Sequence, residues 1–216
     1  MSILNEFIKT CRKIENSHLV AGTWGNISLK TKDGIIITPS GIPYSTLTID
    51  DLCLIDFDGN LLKGKRKPSS EKLVHTNIYK NRDDVNAIIH THSTFATVAS
   101  ITLKELPPIV EDAVMALGSP IKVAEYGFPG SLELANNIVS ALNNKNGVVL
   151  KNHGQVAVGK SLDDAFLNAI LLEKLAELYI LSLNTHLNIN IISSNDAKKL
   201  HDVYVNSYSK LKEQKK

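Results

Sequence analysis

Three histidines have the type and spacing to hold a metal ion. His90 and His92 stand in I-I-H-T-H-S, and His153 stands in V-V-L-K-N-H-G. Both segments follow apolar runs that read as strands. Residues i and i+2 of a strand point to one face, so the first two imidazoles can be aimed at a single point. A third imidazole from a neighbouring strand end would complete a facial set of three nitrogens. Three protein nitrogens with one open position describe catalytic rather than structural zinc (Zn2+). Magnesium and calcium prefer all-oxygen shells. The other histidines, His18, His75, His186 and His201, read as surface or hydrogen-bonded structural residues. His75 lies one helical turn after Glu71, which leaves a supporting role open.

Three polar loops flank apolar segments: Gly22-Thr23-Trp24-Gly25-Asn26, Thr38-Pro39-Ser40-Gly41 and Pro68-Ser69-Ser70-Glu71. Backbone N–H groups in glycine-containing turns, joined by hydroxyls, make anion pockets. Serines opening a helix add the positive end of its dipole. Singly each loop is a turn; together they could hold one phosphate.

These groups need a scaffold. Apolar side chains at Ile3, Leu4, Phe7, Ile8, Cys11 and Ile14 predict an amphipathic helix over 3–16. Residues 26–30 and 34–38 read as a hairpin turning at Lys32-Asp33-Gly34. A strand is expected over 52–57, followed by a turn at 58–60. Ser69-Ser70-Glu71 reads as the capped start of a helix carrying Leu73, Val74, Ile78 and Tyr79. A strand over 85–89 should run into the first histidine pair, with a helix over 93–101 behind it. Pro107-Pro108 breaks the chain, and 121–124 reads as a short strand. A helix follows over 131–142 with Ser131 as its cap. A buried strand over 147–151 reaches His153, with 155–158 continuing it, and 162–183 forms a long helix apolar on several faces. The alternation points to a mixed α/β, three-layer single domain covering 1–216, with residues from about 184 peripheral.

The chain has 216 residues, 43% of them hydrophobic and 21% charged, the balance of a globular chain able to bury a core without disulfides. A formal charge of +2 argues against nucleic acid or an anionic membrane as partner. Basic residues at Lys63, Lys65, Arg66 and Lys67, and at Lys210, Lys212, Lys215 and Lys216, read as solvated surface and tail. Cys11 and Cys53 are far apart and lack metal-type spacing, which fits a reducing cytoplasm. The N-terminus has no signal-peptide pattern, and no apolar run is long enough to span a membrane.

The segments G-T-W-G-N-I-S (22–28), I-T-P-S-G-I-P-Y (37–44), P-S-S-E (68–71), H-T-H (90–92) and K-N-H-G (151–154) occur in the order found in the class II aldolase/adducin family, which the chain resembles from about residue 3 to 183. The resemblance implies a three-layer αβα fold with a central, mainly antiparallel sheet. It implies zinc on His90, His92 and His153, with Glu71 beside the metal as proton shuttle. It implies substrate-phosphate binding by Gly25, Asn26, Ser40, Gly41, Ser69 and Ser70. The implied activity is cleavage of a ketose 1-phosphate, of the fuculose, 5-deoxyribulose or 5-methylthioribulose type, into dihydroxyacetone phosphate and an aldehyde. The family's sugar-phosphate enzymes are typically homotetramers with interfacial sites. Where some members carry a tyrosine supplied by the neighbouring subunit as general acid, this chain reads I-V-E-D-A. Glu111 aligns there, with Asp112 beside it. A dehydratase, a pentulose-phosphate epimerase and a non-enzymatic adducin-like module remain alternatives.

Overall fold

A computed structural model describes residues 2–208; the lysines at 210, 212, 215 and 216 and the side chain of Tyr208 lie outside the described residues. The first helix, α1 (Ile3–Asn16), starts at Ser2, whose hydroxyl accepts from the Asn5 N–H at 3.3 Å, and buries Phe7, Cys11 and Ile14. Strands β1 (Asn26–Thr31) and β2 (Gly34–Ile37) form the expected hairpin, and β3 (Cys53–Ile55) and β4 (Leu61–Lys63) extend it. Then come α2 (Lys72–Asn81), β5 (Ala87–Thr91), α3 (Thr94–Thr102), β6 (Glu105–Leu106) and α4 (Glu111–Leu117). The chain continues through β7 (Ile121–Ala124), α5 (Leu132–Leu142), β8 (Gly147–Leu150), β9 (Gly154–Gly159), α6 (Leu162–Leu183) and α7 (Ser194–Val203).

The strands form one nine-stranded sheet in the order β4-β3-β2-β1-β5-β9-β8-β7-β6. Only β7 and β8 run parallel among the described residues, so the sheet is mainly antiparallel. Period-2 alternation sorts its side chains into two buried faces. Ile88, Val148, Val156 and Val158 meet α2 and α5 through Ile78, Leu134 and Ile138. Ile27, Leu29, Ile89 and Ala157 meet α1 and α6 through Phe7, Cys11 and Ala165. Farther along, Val149 and Ile121 pack with α3, α4 and α6. Helices on both faces of a sheet give three layers, as expected. Burying roughly a dozen large side chains completely, each stabilising by about 1.5–3 kcal/mol, explains why no crosslink is needed; both cysteines are free and buried.

The fold departs from the sequence reading in three places. Residues 155–158 do not continue the preceding strand: β9 folds back on β8 as an antiparallel hairpin, because Asn152 adopts a left-handed φ of 56° and turns the chain. The helix after Pro68 is not serine-capped. Glu71 occupies the cap position without capping, and the Ser69 hydroxyl accepts from the Glu71 N–H at 3.2 Å. Strand 52–57 is trimmed to β3 by the turn whose Asp56 carboxylate accepts from the Asp58 and Asn60 N–H groups. At the edge of the fold, α7 buries only Ala197 and meets α4 where its His201 ring donates to the Met115 carbonyl at 2.8 Å.

Candidate metal centre

β5 brings the first two imidazoles into place. Ile88 and His90 point to the α2 side of the sheet, and His92 lies just past the strand end. The β8–β9 turn presents His153 beside them. The rings of His90, His92 and His153 meet edge to face at centroid separations of 4.6–4.8 Å. Glu71, at the start of α2, completes the group, and the four ligand atoms all lie within 4.8 Å of one another.

Backbone spacing is set by two glycines. A Cβ on Gly25 would sit 2.8 Å from the His90 carbonyl oxygen, and its φ of +111° is one that L side chains rarely adopt. A Cβ on Gly154 would collide with the Thr91 carbonyl and approach the His92 Cα to 3.1 Å. Neighbouring chain therefore presses on the end of β5 from both sides.

The donor set fits a cation. His90 Nδ1 donates to the Gln155 carbonyl at 2.8 Å, which fixes that tautomer and leaves Nε2 with a bare lone pair. That lone pair faces His92 Nε2 at 3.0 Å and Glu71 Oε2 at 3.1 Å. Glu71 Oε1 is buried without a hydrogen-bond partner, 3.4 Å from His153 Nε2. Acceptors so close repel one another unless a proton or a cation lies among them. The nitrogen–nitrogen edge of a tetrahedral zinc site is about 3.3 Å, from bonds of about 2.0–2.1 Å, so the observed spacings suit such an ion.

Electrostatics point the same way. Burial pushes the Glu71 carboxyl up, but the charge and hydrogen bond of His90, the charge of His153 and the Asn26 amide outweigh it and hold it well below the usual carboxylate range. Burial pulls His90 down, yet the Glu71 charge and hydrogen bond and the Gln155 carbonyl leave it raised. His92 and His153 are each pushed down to about 4, by burial first and then by the charge of His90. The negative charge of Glu71 is thus held where the imidazoles converge.

The other expected site residues divide. Asn26 lies opposite His90 across β1 and β5 and is buried, with its amide donating to Glu71 Oε2 at 3.0 Å. The loops around Ser40 and Ser69 are tied together: Pro39 bridges Pro68, and the Ser40 hydroxyl donates to the Pro68 carbonyl at 3.1 Å. Ser40, Gly41 and Ser70 have exposed or open faces, whereas Ser69 is buried in its turn. Glu111 is exposed at the start of α4 and outside the four-residue group, and Asp112 pairs with Lys174 at 2.6 Å.

Comparison with known proteins decides the family. The model for "Class II Aldolase and Adducin N-terminal domain" matches residues 5–180. The chain belongs to the class II aldolase and adducin family. Among its relatives, an L-fuculose phosphate aldolase of Methanocaldococcus jannaschii is 42% identical over 178 residues, covering 82% of this chain and 96% of the relative. The enzyme of that name from Escherichia coli is 36% identical over 181 residues, covering 84% of each. A solved L-fuculose 1-phosphate aldolase superimposes with a TM-score of 0.90 at 33% identity, covering 94% of this chain and 95% of that one.

Sequence reasoning about this class II aldolase missed several residues around the cluster. The indole of Trp24, an exposed side chain, stacks on His92 with centroids 5.8 Å apart and planes at 29°. Glu173 of α6 accepts from the Phe95 and Ala96 N–H groups and the Ser93 hydroxyl at 2.6–2.8 Å, capping the helix that follows His92. Nothing in the spacing of Glu173 marks a partner some 80 residues away. Ser28 and Tyr79 were findable: Asn26 and Ser28 share a strand face, and Glu71, His75 and Tyr79 follow one helical stripe.

Proposed function

We propose that this chain is a zinc-dependent aldolase that reversibly cleaves a ketose 1-phosphate into dihydroxyacetone phosphate and an aldehyde. The observation that carries the reading is Glu71: a buried carboxylate whose Oε1 has no hydrogen-bond partner, held beside three converging Nε2 atoms. Relatives named for fuculose-phosphate cleavage support the substrate class.

His90, His92 and His153 would hold the metal, and an all-imidazole set favours zinc over magnesium or calcium. A bound zinc supplies Lewis acidity, drawing electron density from the substrate's oxygens. The remaining work belongs to this chain's residues. Glu71 Oε1 carries a proton to and from the triose carbon that loses its bond. Gly25 and Asn26, Ser40 and Gly41, and Ser69 and Ser70 hold the phosphate, so remote binding energy fixes the reacting carbon's orientation. Burial of His90 and Glu71 keeps water from quenching the carbanion.

Glu111 is assigned the second acid/base role, on the C4 oxygen, in the site of a neighbouring copy within a homotetramer; its exposure away from its own cluster supports this. Exposed Tyr126, Phe128, Leu181 and Leu187 supply apolar surface for such an assembly. We read the chain as one domain working in the cytoplasm. No helix among the described residues is long and apolar enough to cross a membrane.

A panel of ketose 1-phosphates, assayed for triose phosphate before and after chelation, tests the reading. Dihydroxyacetone phosphate should appear only with metal present. Glu71→Gln should retain the metal and lose about 10²–10⁴-fold in turnover. Product formed without triose phosphate would replace cleavage by dehydration or epimerisation.

A further inference from the structure

Behind the histidine cluster runs a file of buried polar side chains from Tyr79 through Ser28, His75 and Asn26 to Glu71. Its proton positions follow from one end. The Glu71 carboxylate can only accept, so the Asn26 amide nitrogen faces it, at 3.0 Å. The Asn26 oxygen is therefore turned to His75 Nε2, which must carry a proton to bond there. His75 Nδ1 is then bare and accepts from the Ser28 hydroxyl at 2.6 Å. With its only proton spent, the Ser28 oxygen accepts from the Tyr79 hydroxyl at 2.8 Å, whose proton is shared with the Asn86 carbonyl at 3.2 Å. Every donor points toward Glu71, and aligned hydrogen bonds polarise and strengthen one another.

We infer that His75 is a positioning residue: with its single ring proton on Nε2, it fixes the Asn26 amide so that N–H rather than oxygen faces Glu71, and so holds that carboxylate against the histidine cluster. The opposite tautomer would flip the amide and set its oxygen against a carboxylate, an uncompensated buried repulsion. A cationic His75 is disfavoured as well, since burial, then the charge of His90, pushes it down to about 3 against the smaller pull of Glu71. His75 bonds Ser28 and Asn26 and lies outside the four-residue ligand group, so its influence passes through Asn26. The inference rests on the reading of Glu71 as the proton shuttle.

Three measurements test it. Long-range proton–nitrogen NMR on isotope-labelled histidine should find His75 with Nε2 protonated and Nδ1 bare, in metal-free and zinc-loaded protein alike. On the substrate identified by the panel, His75→Leu should lower kcat by about 10–100-fold with KM nearly unchanged and zinc content intact. His75→Gln, which places an amide N–H where Nε2–H stands, should recover kcat to within about fivefold of the native enzyme. In a Glu71→Gln background, His75→Leu should add less than about twofold, because residues acting as a unit are not additive. A protonated Nδ1, equal losses in His75→Leu and His75→Gln, or losses that multiply in the double variant would each overturn the inference. Near-normal turnover in Glu71→Gln alone would instead defeat the shuttle assignment. The tautomer, read on unaltered protein, judges His75 separately and does not depend on any variant folding.

Discussion

Acidifying the metal-stripped protein should destabilise it through His75 before most carboxylates titrate. His75 is buried and pushed down to about 3 from the usual 6.5, by burial first and then by the nearby charge of His90, against a smaller upward pull from Glu71. Its folded-state pKa thus lies below the unfolded one, so between those values the unfolded chain binds the extra proton and stability falls with pH. Integrating over that window gives a loss of about 2 kcal/mol by pH 5 and about 3 kcal/mol by pH 4 from this one side chain. His92 and His153 add losses of the same sign. His90, raised in the folded state, contributes the opposite sign: its stabilisation is complete below its unfolded pKa and disappears as pH rises through the folded one. The assay is urea unfolding of chelator-treated protein at a series of pH values, with His75→Gln alongside. The difference in slope between the two proteins isolates His75. Native protein should lose about 2 kcal/mol more than the variant between pH 7 and pH 5. Parallel pH profiles would refute a neutral, buried His75.

Trp24 is the chain's single tryptophan and stacks on His92, so zinc added to stripped protein should change its emission and saturate near one equivalent; a silent indole with zinc bound by elemental analysis would contradict that stacking. Zinc binding should weaken as pH falls, because protons compete for the imidazole nitrogens; equal affinity at pH 7 and pH 5 by calorimetry would contradict imidazole ligation. Gly25→Ala puts a Cβ against the His90 carbonyl in a left-handed backbone, which should cost about 1–3 kcal/mol in urea unfolding and weaken zinc binding by about tenfold or more. Unchanged stability and affinity would show that the loop relaxes without cost.

The scaffold was legible where periodicity is long. α1, α5 and α6 have enough turns for their apolar spacing to declare them, and Ser131 marks a start with a real cap, its hydroxyl accepting from Leu134 at 3.1 Å. Short elements were not: β4 is three exposed residues, β6 two, and α4 seven, too few for a pattern. The β8–β9 reversal turns on the backbone angle of a non-glycine residue, Asn152, which composition does not announce. At the site, His90 and His92 were visible because strand spacing couples neighbours in sequence. Their convergence with His153 and Glu71 depends on strand order across the sheet, a long-range property that the family resemblance anticipated and local spacing alone did not. The role proposed for Glu111 needs a second copy to appear at all.

The grip of Gly25 and Gly154 on the end of β5 works as a gauge. With main chain wedged against both flanks, the backbone that carries His90 and His92 cannot shift sideways without moving the chain at Gly25 or Gly154. On the proposed reading, calibre joins donor chemistry in choosing the ion: calcium wants six or more oxygens at about 2.3–2.6 Å, against three imidazoles and one carboxylate here.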